Sequence, residues 1–288
     1  MKFSVVHKTE YLYTAEALES FSELRCHPQN SVRQTVLSHE TLLHPSVSLY
    51  FYTDYFGNLT SFFSIPFKHN RLRIETKSVV LTHPFPDPLR EMPLTVSEAL
   101  VVYGFKRFEL LDFLLPSRLI PLVEEGDEIQ EIASRLFQKE KGLTDALVEL
   151  NQFVHGFLSY VPGATDISTP LSEVLEKRQG VCQDYSHLMI AILRAAGIPA
   201  RYVSGYVEPL PNESSLSQAV EGATHAWVEV YLPNGKWIGF DPTNNSLETE
   251  CHVQLAVGRD YDDVTPLRGV FKGYHGQKLS VSVHVARI

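Results

Sequence analysis

The stretch "GVCQDYSHLMIAILRAAGIPARYVSGYV", Gly180–Val207, holds the longest apolar run of the chain, "LMIAIL", which offers no polar face to water. A helix that is apolar all round is a buried helix. The pattern predicts it over roughly Asp184–Ala196, with Gly197 free to adopt the left-handed conformation of a C-cap and Pro199 preventing continuation. The alternating "ARYVSGYV", Ala200–Val207, then reads as a strand. One of only three cysteines stands where the preceding loop turns into this helix. At that position Cys182 lies among first-turn N–H groups that lack intrahelical partners and carry partial positive charge. Such a setting favours a thiolate and offers donors to a developing oxyanion. Asp184 opposes the thiolate if its carboxylate lies close, so an activating base is required. Taken alone, the cysteine is more simply a small apolar residue packing a helix start.

Outward from this stretch, 288 residues with 44% apolar and 20% charged side chains are an ordinary globular composition, enough for one or two domains. Cys26, Cys182 and Cys251 are odd in number, widely spaced and without a CxxC pair, which argues against a disulfide framework and a zinc cluster. Free thiols in a reducing cytoplasm fit best. Charges interrupt "MKFSVVHKTEYLYTAEALES" before a signal-peptide core can form, and no apolar stretch approaches the ~20 residues needed to cross a bilayer. A cytoplasmic protein, not integral to a membrane, is expected. A net charge of −9 without a basic stripe makes nucleic acid a poor partner.

From Lys2 to about Leu81 short apolar and polar steps rich in Val, Tyr, Phe and Thr predict a β-sandwich or barrel-like module, with a hairpin turn at "YFGN", Tyr55–Asn58. The Pro-rich "THPFPDPLREMP", Thr82–Pro93, excludes a regular element and places a boundary between residues 1–85 and 86–288. Beyond it, Asp127–Phe137 and Leu143–Tyr160 carry apolar residues at helical spacing. A short helix is predicted within Thr169–Gly180, with Pro near its start and Gly at its end. Strands follow at His225–Leu232, Lys236–Pro242 and Leu279–Ala286.

Two of these strands carry the partners a nucleophilic thiol needs. In "THAWVEVYLPNGKWIGFDPTN", Thr224–Asn244, a histidine opens one strand and an aspartate closes the next. A two-residue loop at Asn234-Gly235 would set Asp241 opposite Val228, across the sheet from His225. A three-residue loop, Pro233-Asn234-Gly235, pairs Leu232 with Lys236 and Trp227 with Asp241, which makes His225 the diagonal neighbour of Asp241. Proline suits the first corner of that turn and is poorly placed in a ladder, so the three-residue loop is expected. Cys182, His225 and Asp241 are then the set that cysteine acyl transfer requires: nucleophile, general base and acid, and orienting carboxylate. The Cys182 N–H is one expected oxyanion donor; Gln183 is available as a second.

"RQGVCQDYSHLMIAILRAAGIPARYVSGY", "THAWVEVYLPNGKWIGFDPTNN" and "VGRDYDDVTPLRGVFKG" resemble the corresponding blocks of the bacterial transglutaminase-like superfamily, a papain-like group often described as cysteine proteases. The β-rich first segment is similar to that group's N-terminal region. The resemblance implies an α+β fold, with helices packed on an antiparallel sheet and a β-rich N-terminal domain ahead of them. It also implies Cys182 as nucleophile, His225 as base and acid, and Asp241 as orienting residue. The expected activity is acyl transfer on peptide or protein amides through a thioester, as a cysteine protease or amidase. Transglutaminase activity is one alternative; a module that only binds peptides is another.

Other residues are weighed against blander roles. His187 lies five residues beyond Cys182 on the helix and points elsewhere. His7, His27, His39, His44, His69, His83 and His155 lack ligand spacing. The acids of "GRDYDD" could hold calcium, as in some eukaryotic transglutaminases, but lack the spacing of a dedicated loop; a solvated loop, or a contact of Asp260 with Arg259 or Arg268, is the simpler expectation. Trp227 either lines a cleft or packs the core, and Tyr202 and Tyr206 are expected in the core. No metal and no cofactor is expected.

Overall fold

A computed structural model describes residues 1–85, 89, 92–208, 224–273 and 276–288. The β-rich start forms six strands: β1 (Lys2–Ala17), β2 (Glu19–Leu24), β3 (Gln34–His44), β4 (Tyr50–Thr53), β5 (Leu59–Ile65) and β6 (His69–Thr82). The expected hairpin lies between β4 and β5, where Gly57 takes φ +87°. These strands divide between two four-stranded antiparallel sheets that enclose a small core of Leu24, Cys26, Phe63, Ile65, Leu72 and Ile74. The module is a sandwich.

The helical part follows: α1 (Val96–Phe105), α2 (Glu128–Leu136), α3 (Leu143–Phe157), a two-residue strand β7 (Ser159–Tyr160), α4 (Leu171–Lys177), a matching β8 (Gln179–Gly180) and α5 (Cys182–Ala195). Helix α5 starts two residues earlier than the sequence pattern predicts, so Cys182 is its first residue. Every side chain of α5 from Asp184 to Arg194 is buried, packed between α2, α3 and α4 on one side and a five-stranded sheet on the other. The left-handed residue ending α4 is Arg178, not Gly180. Gly180 has a different reason: a Cβ there would lie 2.6 Å from the Asp184 side chain.

That five-stranded sheet has the order β12-β11-β10-β9-β13, formed by β9 (Ala200–Val207), β10 (His225–Tyr231), β11 (Trp237–Asp241), β12 (Ser246–Leu247) and β13 (His252–Gly258). Tyr202 and Tyr206 are buried in it, as expected. After a one-turn helix α6 (Tyr261–Val264), strands β14 (Leu267–Lys272) and β15 (Gln277–Arg287) return to the N-terminal module. There β14 pairs with β2, and β15 runs antiparallel to β1 from Phe3↔Arg287 to Tyr13↔Gln277. The division at 85/86 is thereby corrected at the far end, since residues 267–287 complete the sheets of the first module. Of the Pro-rich passage expected to hold the boundary, residues 86–88, 90 and 91 lie outside the described residues.

The module also seals the outer edge of β13. The Gln34 amide donates to the Gln254 carbonyl and accepts its N–H (2.8 and 2.9 Å), and the Asn58 amide does the same with Val257 (both 2.8 Å). Two side-chain amides thus stand in for a neighbouring strand, which is one way an edge is kept from pairing with another chain. Nearby, Arg33 reaches Glu248 at 3.3 Å, while Arg201 pairs with Glu229 at 2.7 Å. Burial, and then the charge of Glu229, push the Glu248 carboxyl up to about 8. An acid whose folded value is raised above its ordinary 4.5 stabilises the fold at low pH and loses that contribution as pH climbs through 8. Denaturation midpoints are therefore expected to fall between pH 6 and pH 9, and to fall less in Glu248→Gln. Parallel curves for the two proteins would refute this assignment.

Candidate active site

The loop between β10 and β11 is the three-residue one. Leu232 N donates to Lys236 O (2.8 Å), Gly235 N donates to Leu232 O (2.9 Å), and Gly235 holds φ +87°. Tyr231 faces Trp237 and Val228 faces Phe240, the register that brings His225 diagonally over Asp241. His225 Nε2 lies 2.7 Å from Asp241 Oδ2. That leaves Nδ1 as the ring nitrogen available to Cys182, which is among the groups that raise the His225 ring. The Cys182 Sγ also reaches the carbonyl of Thr224, immediately before His225, at 4.0 Å. The three residues expected from the sequence are brought together from a helix start, a strand start and a strand end.

Electrostatics follow from this placement. Burial acts against charge on His225, but Asp241 and Cys182 outweigh it and raise the ring to about 10. Burial likewise acts against charge on Asp241, and His225 and His252 outweigh it, holding the carboxyl far below the usual carboxylate range. Asp241 is fully buried and saturated: Oδ1 accepts the N–H groups of Thr243 and Asn244 (both 3.1 Å), and Oδ2 accepts Asn244 Nδ2 (2.7 Å) as well as the His225 ring. Its charge and its rotamer are fixed together.

Asp184 does not confront the thiol as a bare charge. Its Oδ2 accepts the Val181 N–H (2.7 Å) and the Thr165 hydroxyl (2.6 Å), so it caps the start of α5, and burial pushes its carboxyl up. The Asp184 and Tyr185 N–H groups donate to the Val181 carbonyl, whereas those of Cys182 and Gln183 precede the first intrahelical acceptor.

One participant left no signal in the sequence. His252, the first residue of β13, places Nε2 at 3.2 Å from Asp241 Oδ2. His225, Asp241 and His252 thus converge, as a metal triad would. The hydrogen bonds argue against that use. His252 Nδ1 accepts the Thr249 N–H at 3.1 Å, so its ring proton sits on Nε2 and is directed at the carboxylate; a cation there would have to displace it. Trp227 packs in the core rather than lining a cleft: it is fully buried, with His225 stacked on it at 6.2 Å and His252 edge-on at 5.2 Å.

His187 is structural, its Nε2 accepting the Tyr261 N–H at 3.2 Å, and burial lowers it to about 4. The acids near it are also accounted for. Asp260 caps α6 and accepts the Leu119 N–H, Asp262 pairs with Arg118 at 2.7 Å and Arg268 at 3.6 Å, and Asp263 pairs with Arg259 at 2.8 Å. Arg259 and Arg268 therefore bind Asp263 and Asp262 rather than Asp260, one of the two contacts considered from the sequence, and the set does not fit a calcium loop.

A helix-start cysteine facing a strand-borne histidine and aspartate, on helices packed against an antiparallel sheet, defines a papain-like α+β protein. Residues 130–242 match the transglutaminase-like superfamily, and residues 3–81 match the bacterial transglutaminase-like N-terminal region. An uncharacterized protein of Mycobacterium leprae is 32% identical over 287 residues, spanning 100% of this chain and 99% of that one. A crystal structure from Cytophaga hutchinsonii, provisionally described as a cysteine protease, superposes with a TM-score of 0.77 at 22% identity, over 99% of this chain and 90% of that one. A protein-glutamine gamma-glutamyltransferase of Pseudomonas aeruginosa is 37% identical over 100 residues, which is 33% of this chain and 14% of that one. The chain belongs to the transglutaminase-like superfamily.

Proposed function

We propose that the protein is a cysteine-nucleophile acyl-transfer enzyme acting on amides of peptides or proteins. The observation that carries this reading is the position of His225, one ring nitrogen on a buried carboxylate and the other toward a thiol at a helix start. Before substrate binds, the thiol proton already rests on His225 Nδ1, as the imidazolium that persists up to about 10, and in the forward step the thiolate sulfur attacks the carbonyl carbon. The oxyanion that develops meets the N–H groups of Cys182 and Gln183. The imidazolium then gives its proton to the leaving amine, and a Cys182 thioester remains. Water, deprotonated by the same ring, releases the acid. Throughout, Asp241 keeps the Nε2 proton of His225 directed at itself, so that Nδ1 does the chemistry.

A second acceptor, an amine in place of water, is favoured by the local similarity to the Pseudomonas aeruginosa glutamyltransferase. Mass spectrometry of amine incorporation into glutamine peptides separates the two outcomes. The nucleophile itself is tested without a substrate, by iodoacetamide. Alkylation of Cys182 at pH 6.5 is expected to proceed nearly as fast as at pH 8.5, because the imidazolium persists up to about 10. A rate that climbs about tenfold per pH unit toward an ordinary thiol midpoint near 8.5 would mean an inactive cysteine.

A further inference from the structure

We infer that His252 is a positioning residue for the acyl-transfer site, locking the Asp241 carboxylate against His225 through a hydrogen bond of fixed direction. The inference rests on the reading of Cys182, His225 and Asp241 given above. It starts from Thr249, whose N–H lies 3.1 Å from His252 Nδ1 and whose hydroxyl lies 3.3 Å from the same atom. An imidazole nitrogen that accepts a main-chain N–H cannot itself carry a proton, so the proton is on Nε2. Nε2 points at Asp241 Oδ2, already the acceptor for His225. The direction of each bond is therefore set from one end: Thr249 N–H to His252, His252 N–H to Asp241, with Asp241 left as acceptor for His225.

Three features make this more than core filling. His252 belongs to β13, the far edge of the sheet from β11, yet its ring meets the same carboxylate oxygen as the ring of His225. Trp227 lies against both imidazoles and keeps their separation fixed. Among the described residues, the titratable side chains seen in contact with the His252 ring are Asp241 and His225. A further donor to Oδ2 makes Asp241 a weaker base, so the proton shared along the His225 bond stays on Nε2 and the ring keeps the tautomer in which Nδ1 exchanges protons with the thiol and the leaving amine.

The test compares wild type, His252→Gln and His252→Leu. A glutamine amide nitrogen reaches about where Nε2 sits and keeps the donor; leucine keeps bulk and removes it. His252→Leu is expected to lower both turnover and Cys182 alkylation at pH 7 by roughly tenfold to a hundredfold, with KM little changed, and to shift the pH profile of alkylation. His252→Gln is expected to stay within about threefold of wild type, with the wild-type profile. Nitrogen NMR of the wild-type ring is expected to place the proton on Nε2. A proton on Nδ1, or equal losses in both variants tracking a fall in thermal midpoint, overturns the positioning role. Equal alkylation rates in wild type and His252→Leu, with the wild-type thiol activated, overturn it too and leave the reading of the site standing. An unactivated wild-type thiol removes that reading instead, and the role of His252 with it.

Discussion

The Asp241→Asn variant is expected to lose about 10⁴-fold in turnover while keeping its backbone fold. The reason lies in the donor count around this side chain. Oδ1 accepts two main-chain N–H groups, from Thr243 and Asn244, and Oδ2 faces His225, His252 and Asn244 Nδ2. An asparagine must turn its NH₂ toward one of these sets. Facing the loop, it sets donor against donor at two backbone amides, at about 1–3 kcal/mol for each buried group left unsatisfied. Facing the histidines, it forces His225 to accept at Nε2 and to carry its proton on Nδ1, pointing at Cys182. A ring in that tautomer cannot take the thiol proton. Hydrolysis of a chromogenic amide, together with iodoacetamide labelling of Cys182 at pH 7, measures the loss; turnover within tenfold of wild type would refute the orienting role.

Gly205→Ala is expected to be the most damaging single methyl in the sheet. A Cβ at this position would lie 2.3 Å from the Val253 carbonyl oxygen and 2.4 Å from the Trp227 ring. The first obstacle is backbone of the neighbouring strand and the second a fully buried indole, so neither can swing aside. Overpacking of this kind costs about 3 kcal/mol, which in a chain of this size lowers the thermal midpoint by roughly 6–12 °C. Displacing Trp227 would also move both imidazoles that pack on it, so alkylation of Cys182 should slow at temperatures where the variant is still folded. Calorimetry and the labelling assay read the two effects independently. An unchanged midpoint would mean that β9 and β13 shift apart more readily than their pairing suggests.

The parts of the site that were legible in the sequence are those whose geometry is local. Pro233-Asn234-Gly235 dictates a loop length, the loop dictates the register of β10 and β11, and the register sets His225 diagonal to Asp241. Cys182 was legible because a buried helix must begin somewhere, and its start is chemically special. His252 was not, because its approach to Asp241 depends on how β13 adds to the far edge of the sheet, which no spacing encodes. Helix α1 escaped for a different reason: "VSEALVVYGF" is apolar on several sides, with Val101 and Phe105 exposed, so it has no stripe, although Thr95 and Glu98 form the capping box that marks its start. The pairing of β14 and β15 with the opening strands joins residues more than 200 positions apart, and alternation within a strand says only that it has two faces.

That pairing bears on how the molecule is made. On the ribosome β1 emerges well ahead of β15, the neighbour that covers one of its edges, which is translated some 260 residues later. The nascent sandwich must wait with that strand open through the synthesis of everything between. A chaperone that shields an unpaired ladder during this interval should raise the yield of native protein more than one that acts after release, and slowing translation should worsen aggregation rather than relieve it.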